Sequence, residues 1–329
     1  MKIVVRVDIN KKVGTGHFFR VIKFLSIFKK LRPEIYFITK KNGLNLKNFL
    51  HDKKIIVKYI FSRNPKEDVI ESKKIINNIK PKFLIVDNYF INASWEKKIK
   101  ELCENLIVID DNQNKAHICD YYINHNFIKN KKNLRKKIKS YKKIFLGPKY
   151  LIQNHKKKIL HTRNFQIKKI AIFMGGYDKS NFTKRIINLL QHSNKEIKVI
   201  NAFTGLKVPP KINKINKKIK INFFPFSQKF HNLLIKNDIL ISSGGTVLWD
   251  KCLTNIPSIT IPLAENQKYN SIMLNKLGGT LMIKKIEEIP NIIKSFNDKL
   301  VIKMKKSTSF ICDHNGLNRI KKEILNVKN

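Results

Sequence analysis

Residues 13–20 are the first group in the chain whose types and spacing suit chemistry. Gly14 and Gly16 permit a tight turn after an apolar strand-like run, and His17 follows where a helical pattern begins. Because a helix N-terminus disfavours added positive charge, we expect His17 to stay neutral and to act as a general base near neutral pH. Simple packing in the turn is the alternative for His17. Arg20, one helical turn later, either faces an anion or forms a surface ion pair.

Two further glycine turns follow apolar runs in the second half of the chain, and each precedes a helical pattern. Backbone N–H groups at such turns bind phosphate, although ordinary strand-to-helix turns look the same. Asp250, one turn into the helix after the second glycine turn, either accepts from ribose hydroxyls or is a solvated helix residue. The amides of Asn266 and Gln267 either bind a sugar or phosphate or belong to a polar turn. The residues assigned to the nucleotide are Gly175, Gly176, Ser243, Gly244, Gly245, Thr246 and Asp250.

Polar side chains also follow the strand-like runs of the first half. Asp87 and Tyr89 end one run, Asp110 and Asp111 end the next, and the segment 124–126 ends a third. Because the carboxyl ends of parallel strands meet at one sheet edge, we expect these side chains to share a site. They bind hydroxyls, do acid–base chemistry or cap helices. We find no carboxylate cluster that demands Mg²⁺, so no metal site is expected.

The elements that must position these residues alternate between short apolar runs and longer helical patterns. This alternation predicts two doubly wound α/β domains facing a central cleft, with residues 1–155 in the first and 165–329 in the second. The basic stretch 151–168 marks the boundary, and the Lys-rich stretches 129–143 and 207–220 are expected to be loops or solvated faces. The predicted strands are 3–7, 35–38, 55–59, 83–86, 106–109, 121–123, 170–173, 197–202, 219–223, 239–242 and 258–261. The predicted helices are 17–30, 68–80, 94–104, 181–190, 230–236, 246–253 and 267–276.

Composition narrows the class of protein. The formal net charge is +45, from 68 Lys and Arg against 23 Asp and Glu, but only eight of the basic residues are Arg. Base-reading proteins favour Arg, so we expect weak attraction of anions rather than specific nucleic-acid binding. Four separated cysteines argue against a disulfide scaffold or zinc module. No apolar stretch is long enough for a membrane span, and no signal peptide is evident, so a cytoplasmic protein is expected. Nothing in the sequence requires more than a monomer.

Taken in order, these motifs resemble the UDP-2,4-diacetamido-2,4,6-trideoxy-β-L-altropyranose hydrolases of pseudaminic acid biosynthesis. That family has the GT-B fold and is related to the glycosyltransferase that forms lipid II. Its motifs are R-x-D, [IV]-G-x-G-H-x-x-R, D-x-Y, D-D, C-D with N-x-N, G-P-K-Y, M-G-G-x-D, S-x-G-G-[ST] and E-N-Q, and the resemblance covers about residues 3–285. The matching residues are Arg6, Asp8, Val13, Gly14, Gly16, His17, Arg20, Asp87, Tyr89, Asp110, Asp111, Cys119, Asp120, Asn124, Asn126, 147–150, 174–176, Asp178, 242–246 and 265–267.

The resemblance implies a GT-B enzyme that hydrolyses a UDP-linked sugar without a cofactor. His17 would activate water for attack on C1 of the sugar, with inversion and release of UDP. In relatives a Glu binds the UDP ribose, and Asp250 stands at that position here. The implied substrate contacts are Asp8, Gly14, Gly16, Arg20, Asp87, Tyr89, Asp111, Asn266 and Gln267.

Two other functions remain open from the sequence. A GT-B glycosyltransferase would use the same histidine base but pass the sugar to an acceptor hydroxyl. A non-catalytic module would use the basic surface to bind polyanions with strong salt dependence and would release no UDP.

Overall fold

A computed structural model describes residues 1–9, 16–41, 55–153, 164–176, 178, 180–193, 196–205, 209–212, 216–225 and 230–326. Every strand pairing given below is parallel. The strands are β1 Lys2–Val7, β2 Glu34–Lys40, β3 Ile55–Ile60, β4 Phe83–Asp87, β5 Asn105–Ile109, β6 His117–Ile118, β7 Tyr121–Asn124, β8 Ile138–Lys139, β9 Lys143–Leu146, β10 Lys169–Phe173, β11 Val199–Thr204, β12 Lys220–Pro225, β13 Ile239–Ser243, β14 Ser258–Ile261 and β15 Leu281–Met282.

Helices follow most of these strands. They are α1 Gly16–Leu25, α2 Pro65–Ile79, α3 Ala93–Ile99, α4 Lys131–Lys137, α5 Phe182–Ser193, α6 Phe230–Leu234, α7 Val247–Thr254, α8 Glu265–Lys276, α9 Ile289–Lys294, α10 Asp298–Ile311 and α11 Gly316–Leu325. Asparagine caps explain where two of them begin: the side chains of Asn64 and Asn92 accept N–H groups from the first turns of α2 and α3. No helix in the described part of the chain combines the length and apolar character needed to cross a bilayer.

The chain divides into two compact units. Unit 1 comprises residues 1–153 and 315–329, and unit 2 comprises residues 154–314. The strand order in unit 1 is β3-β2-β1-β4-β5-β7-β9, with β6 and β8 forming a separate pair. One face of the large sheet packs against α1 and α11 through residues such as Phe24 and Ile320, and the other packs against α2 and α3. Because both faces are covered, the strands consist almost entirely of apolar residues.

Unit 2 repeats this plan with the strand order β12-β11-β10-β13-β14-β15. One face of its sheet packs against α5 and α10, and the other packs against α6 and α7. A charged residue lies inside this unit: Lys251 on α7 is fully buried, and its ammonium donates to the hydroxyls of Thr260 and Thr280. Both units therefore have the doubly wound architecture that the sequence predicts.

The C-terminal segment departs from the prediction. Residues 165–329 were expected to form one domain, but α11 packs its apolar face, with Leu317, Ile320 and Ile324, into the core of unit 1. Four helices are absent from the prediction: α4, which lies within the Lys-rich stretch 129–143, and α9, α10 and α11, which follow the last predicted helix. Asn130 caps α4 by accepting from the N–H of Asn133 at 2.9 Å, and Leu134 is its buried residue. In the stretch 207–220, residues 207, 208 and 213–215 lie outside the described residues.

Candidate active site

His17 is the second residue of α1, and Asp87 is the last residue of β4, the strand beside β1. The imidazole is 6% exposed, and its Nδ1 lies 2.5 Å from Asp87 Oδ1. A carboxylate accepts from Nδ1–H, so this contact fixes the tautomer in which Nε2 carries the lone pair. The ring of Tyr89 packs edge-on against His17, with ring centroids 4.3 Å apart. Gly16 begins α1, whereas Gly14 lies outside the described residues.

Arg20 lies one turn along α1 and contacts the same carboxylate. Its Nε donates to Asp87 Oδ2 at 2.8 Å and its Nη2 donates to Asp87 Oδ1 at 2.7 Å. The third nitrogen, Nη1, donates to Asp111 Oδ1 at 2.5 Å. Of the two interpretations of Arg20, the ion pair is therefore the one that the structure contains, and it is buried rather than on the surface.

The ionisation of this cluster follows from its ion pairs. Burial alone would raise the pKa of Asp87, but Arg20 and His17 lower it below the ordinary value. The pKa of Asp111 is also lowered, because Arg20 outweighs the effect of burial. Burial opposes the charge of Arg20, yet the two carboxylates raise its pKa further. Both carboxylates are therefore ionised at neutral pH, and Arg20 is permanently charged.

Tyr89 and His125 complete the surroundings of His17. Burial, and next the charge of Asp111, raise the pKa of Tyr89, so its phenol stays protonated. Burial, assisted by the charge of Arg20, lowers the pKa of His125 to about 4, which keeps that imidazole neutral. The site thus contains one phenol and two imidazoles around a buried set of fixed charges.

Asp8, one of the implied substrate contacts, has several partners within the protein. It is 4% exposed and accepts from Arg6 Nη1 at 2.6 Å, from the backbone N–H of Lys40 at 2.8 Å and from Asn88 Nδ2 at 2.8 Å. Arg6 in turn donates to Asp68 on α2 at 2.6 Å. These contacts occupy the carboxylate of Asp8, and they tie the ends of β1, β2 and β4 together.

A second buried histidine cluster lies nearby and was not predicted. His117 on β6 contacts Glu96 Oε1 at 2.7 Å through Nδ1 and Asp110 Oδ2 at 3.2 Å through Nε2. Burial opposes protonation of His117, but the two carboxylates raise its pKa to about 9. His117 is therefore an imidazolium that links α3 to the end of β5.

In unit 2, the two predicted glycine turns lie beside each other. Gly175 has a positive φ of 100°, which favours glycine, and a Cβ built on it would lie 3.7 Å from Ser243 Oγ. A Cβ built on Gly245 would lie 3.9 Å from the same oxygen. Ser243 therefore stands between the turns after β10 and β13, the two strands at which the sheet order reverses. Ligands of doubly wound sheets bind at that reversal.

Gln267 holds the second glycine turn in place. Its Oε1 accepts from the N–H of Gly244 at 3.1 Å and from the N–H of Leu263 at 3.0 Å. Because both partners are donors, the side-chain oxygen is identified, and the amide nitrogen is the end that lies near Gly245. Asn266 is exposed on α8, and Thr246 is exposed just before α7.

Asp250 has a partner that the sequence analysis missed. It is buried on α7, and its Oδ1 lies 2.6 Å from Nε2 of His231 on α6. The pair is separated by 19 residues in sequence, so no local pattern connects them. Beside β10 and β11, a cavity of about 380 Å³ is lined by residues that include Gly175, Thr204 and Gly205.

Comparison with known sequences gives matches over most of the chain. Residues 170–322 match the glycosyltransferase family 28 C-terminal domain. An uncharacterized protein of Methanocaldococcus jannaschii, MJ1062, is 27% identical over 285 residues, which is 82% of this chain and 57% of that protein. A Helicobacter pylori protein named pseudaminic acid cytidylyltransferase and UDP-2,4-diacetamido-2,4,6-trideoxy-beta-L-altropyranose hydrolase is 24% identical over 275 residues, 80% of this chain and 45% of that protein. The chain spans about half the length of these relatives.

Solved structures identify the fold. MurG of Acinetobacter baumannii superposes with a TM-score of 0.68 at 12% identity, covering 99% of this chain and 100% of that one. Anabaena Alr3699/HepE in complex with UDP-glucose superposes with a TM-score of 0.62 at 12% identity, covering 99% of both chains. With the two parallel sheets described above, these likenesses confirm the predicted GT-B fold.

Proposed function

We propose that this protein is an enzyme that hydrolyses a UDP-linked 2,4-diacetamido-2,4,6-trideoxy sugar at its anomeric carbon. The observation that carries the proposal is the His17–Asp87 contact of 2.5 Å, which leaves Nε2 as a base. The similarity to the Helicobacter pylori protein, whose name includes such a hydrolase, supports the substrate class. UDP-sugar complexes among the structural neighbours support the nucleotide.

In the proposed reaction, Nε2 of His17 takes a proton from water as the water oxygen attacks C1 of the sugar. The bond between C1 and the phosphate oxygen breaks, and its electron pair leaves with UDP. One displacement inverts the anomeric configuration. Asp87 stabilises the imidazolium that forms, because a carboxylate already accepts from Nδ1–H. The base then loses the proton to solvent.

Unit 2 supplies the proposed nucleotide site. Backbone N–H groups of the turns around Gly175 and Gly245 would face the diphosphate, and Gln267 would add its amide nitrogen. UDP is a good leaving group, so stabilising its charge matters more than protonating it. Asp250 would accept from the ribose with its position set by His231. No metal is required by this scheme.

The test is a proton NMR time course with UDP-2,4-diacetamido-2,4,6-trideoxy-β-L-altrose and no acceptor. We expect UDP and the free sugar of inverted configuration. His17→Ala should reduce turnover by about 10²–10⁴ while UDP affinity is retained. His192→Ala, which removes an exposed histidine of α5, is the matched control and should turn over like the wild type. A His17→Ala variant with the wild-type rate would refute the base.

A second function is favoured by one observation, the match of residues 170–322 to a glycosyltransferase domain. In that case an acceptor hydroxyl replaces water. Binding of UDP without acceptor-free turnover, followed by turnover once an acceptor alcohol is added, would establish the transferase. The same time course therefore separates the two reactions.

A further inference from the structure

We propose that Arg20 and Asp111 are positioning residues that act through Asp87 on His17, and that they do not bind the substrate. This inference rests on the proposed function of His17. It reassigns two residues for which the sequence analysis implied substrate contacts.

The guanidinium of Arg20 holds the Asp87 carboxylate at two points. Arg20 contacts both oxygens of Asp87, at 2.8 and 2.7 Å, and this two-point contact fixes the plane of the carboxylate. Nη2 of Arg20 also lies 3.1 Å from His17 Nδ1, but it donates to Asp87 Oδ1 at the shorter distance. The carboxylate of Asp87 therefore faces Nδ1 of His17 in one orientation. A contact of Arg20 with only one oxygen of Asp87 would leave that orientation undefined.

Arg20 is itself held in place and buried. Its Nη1 donates to Asp111 Oδ1 at 2.5 Å, and Asn126 Nδ2 donates to the same oxygen at 3.1 Å. Arg20 is 5% exposed, and each of its three nitrogens already donates to a carboxylate. Two of its five guanidinium N–H groups remain, but the side chain is almost fully buried. Turning the guanidinium toward a diphosphate would therefore break these ion pairs and leave a buried carboxylate unpaired, at high cost.

The charges of the cluster favour a protonated His17. Asp87 and Asp111 carry two negative charges and Arg20 carries one positive charge, so the three together have a net charge of −1. A proton taken up by His17 makes the cluster neutral. A network of this kind favours the imidazolium at the moment when the base works. Without Arg20, Asp87 would lose the cation that keeps it ionised and oriented.

The test is a double-mutant cycle of Arg20→Gln with His17→Ala, measured as kcat and KM for the UDP-sugar. Arg20→Gln alone should lower kcat on the order of 10-fold to 100-fold with KM nearly unchanged. In the His17→Ala background it should cause no further loss, because its effect passes through His17. Arg20→Lys keeps the charge but loses the two-point contact, so it should recover only part of the rate. A raised KM, or an equal loss in both backgrounds, would overturn the proposal.

A second measurement does not depend on turnover. In protein with ¹⁵N-labelled histidine, the two ring nitrogens of His17 should show a protonated Nδ1 and an unprotonated Nε2. Arg20→Gln should give a mixture of tautomers, and Asp111→Asn, which keeps side-chain size, should give a smaller change. If Arg20→Gln does not fold, Asp111→Asn carries the test in both experiments. An unchanged tautomer in these variants would overturn the proposal. Wild-type turnover by His17→Ala would instead refute His17 as the base, and a wild-type protein that releases no UDP would refute the proposed function.

Discussion

The buried amine of Lys251 leads to a quantitative prediction about stability. Its side chain is fully buried, and among the described residues its Nζ contacts hydroxyls of Thr260 and Thr280 and no carboxylate. Burial lowers its pKa from the ordinary value of 10.5 to about 7. Replacing it by methionine, which keeps the apolar stem but has no amine, should therefore stabilise unit 2 where the lysine is protonated.

The magnitude follows from proton linkage. The pKa of Lys251 falls from 10.5 in the unfolded chain to about 7 in the folded protein, which lowers the free energy of unfolding by about 5 kcal/mol at pH 6. Each tenfold change in proton affinity corresponds to about 1.4 kcal/mol. The unfolded chain binds the extra proton between pH 7 and pH 10.5, so stability rises with pH across that window. At pH 9.5 only about 1 kcal/mol of the cost remains. Lys251→Met should therefore gain several kcal/mol at pH 6 and much less at pH 9.5.

Tryptophan fluorescence during urea unfolding measures this directly. The chain has two tryptophans, and Trp249 lies two residues before Lys251 on α7, whereas Trp95 belongs to unit 1. A Trp95→Phe background therefore reports on unit 2 alone. Lys294→Met, at an exposed position of α9, makes the same change in net charge and is the matched control. It should leave the pH dependence as in the wild type.

If Lys251→Met and Lys294→Met show the same difference in unfolding free energy between pH 6 and pH 9.5, burial of the Lys251 amine does not set the pH dependence. A destabilised Lys251→Met at pH 6 would show that the hydroxyl contacts of Thr260 and Thr280 outweigh the cost of burying the amine.

Three further predictions concern the other buried contacts. Gln267→Glu keeps the oxygen that accepts two N–H groups but loses the amide nitrogen. The UDP affinity measured by calorimetry should therefore fall at least about 10-fold, while the midpoint of urea unfolding stays unchanged. Equal affinity would show that the nitrogen does not face the nucleotide. Because its pKa is raised to about 9, His117 contributes up to about 3 kcal/mol to the free energy of unfolding. This contribution is complete below pH 6.5 and is lost as the pH rises through about 9. His117→Gln should abolish that loss in urea unfolding followed at Trp95, and a persisting loss would contradict it. Gly205→Ala places a Cβ 2.2 Å from the carbonyl oxygen of Gly176, so the free energy of unfolding should fall by about 1–3 kcal/mol and UDP binding should weaken. A variant with unchanged stability and UDP binding would mean that the turns containing Gly176 and Gly205 separate easily.

The sequence predicts the sheets well because parallel strands covered on both faces are short, continuous apolar runs. β4 and β10 show this, and the glycine turns after β10 and β13 mark where the sheet order reverses. Helix α11 was not predicted, and an amphipathic pattern would not have identified the core that it covers. Only the structure shows that this core belongs to unit 1.

The partners within the site could not be predicted to the same degree. Arg20 reaches carboxylates that are 67 and 91 residues away in sequence, and Asp250 reaches His231 across 19 residues. Such pairs depend on how strands are ordered in the sheet. The contact between Asp8 and Arg6 could not be predicted either, because an acidic residue at a strand end can face a ligand or pair with an internal arginine. Only the structure shows the pairing with Arg6.

The placement of α11 has a consequence for the order in which the protein forms during synthesis. Residues 154–314, which form all of unit 2, leave the ribosome before Leu317, Ile320 and Ile324 are available to the core of unit 1. The residues of unit 1 that share an apolar cluster with them, such as Phe24 and Phe28, lack this part of their packing for that interval. Unit 2 can therefore be complete while unit 1 still exposes apolar surface, so we expect unit 1 to be the more aggregation-prone part of the chain during synthesis.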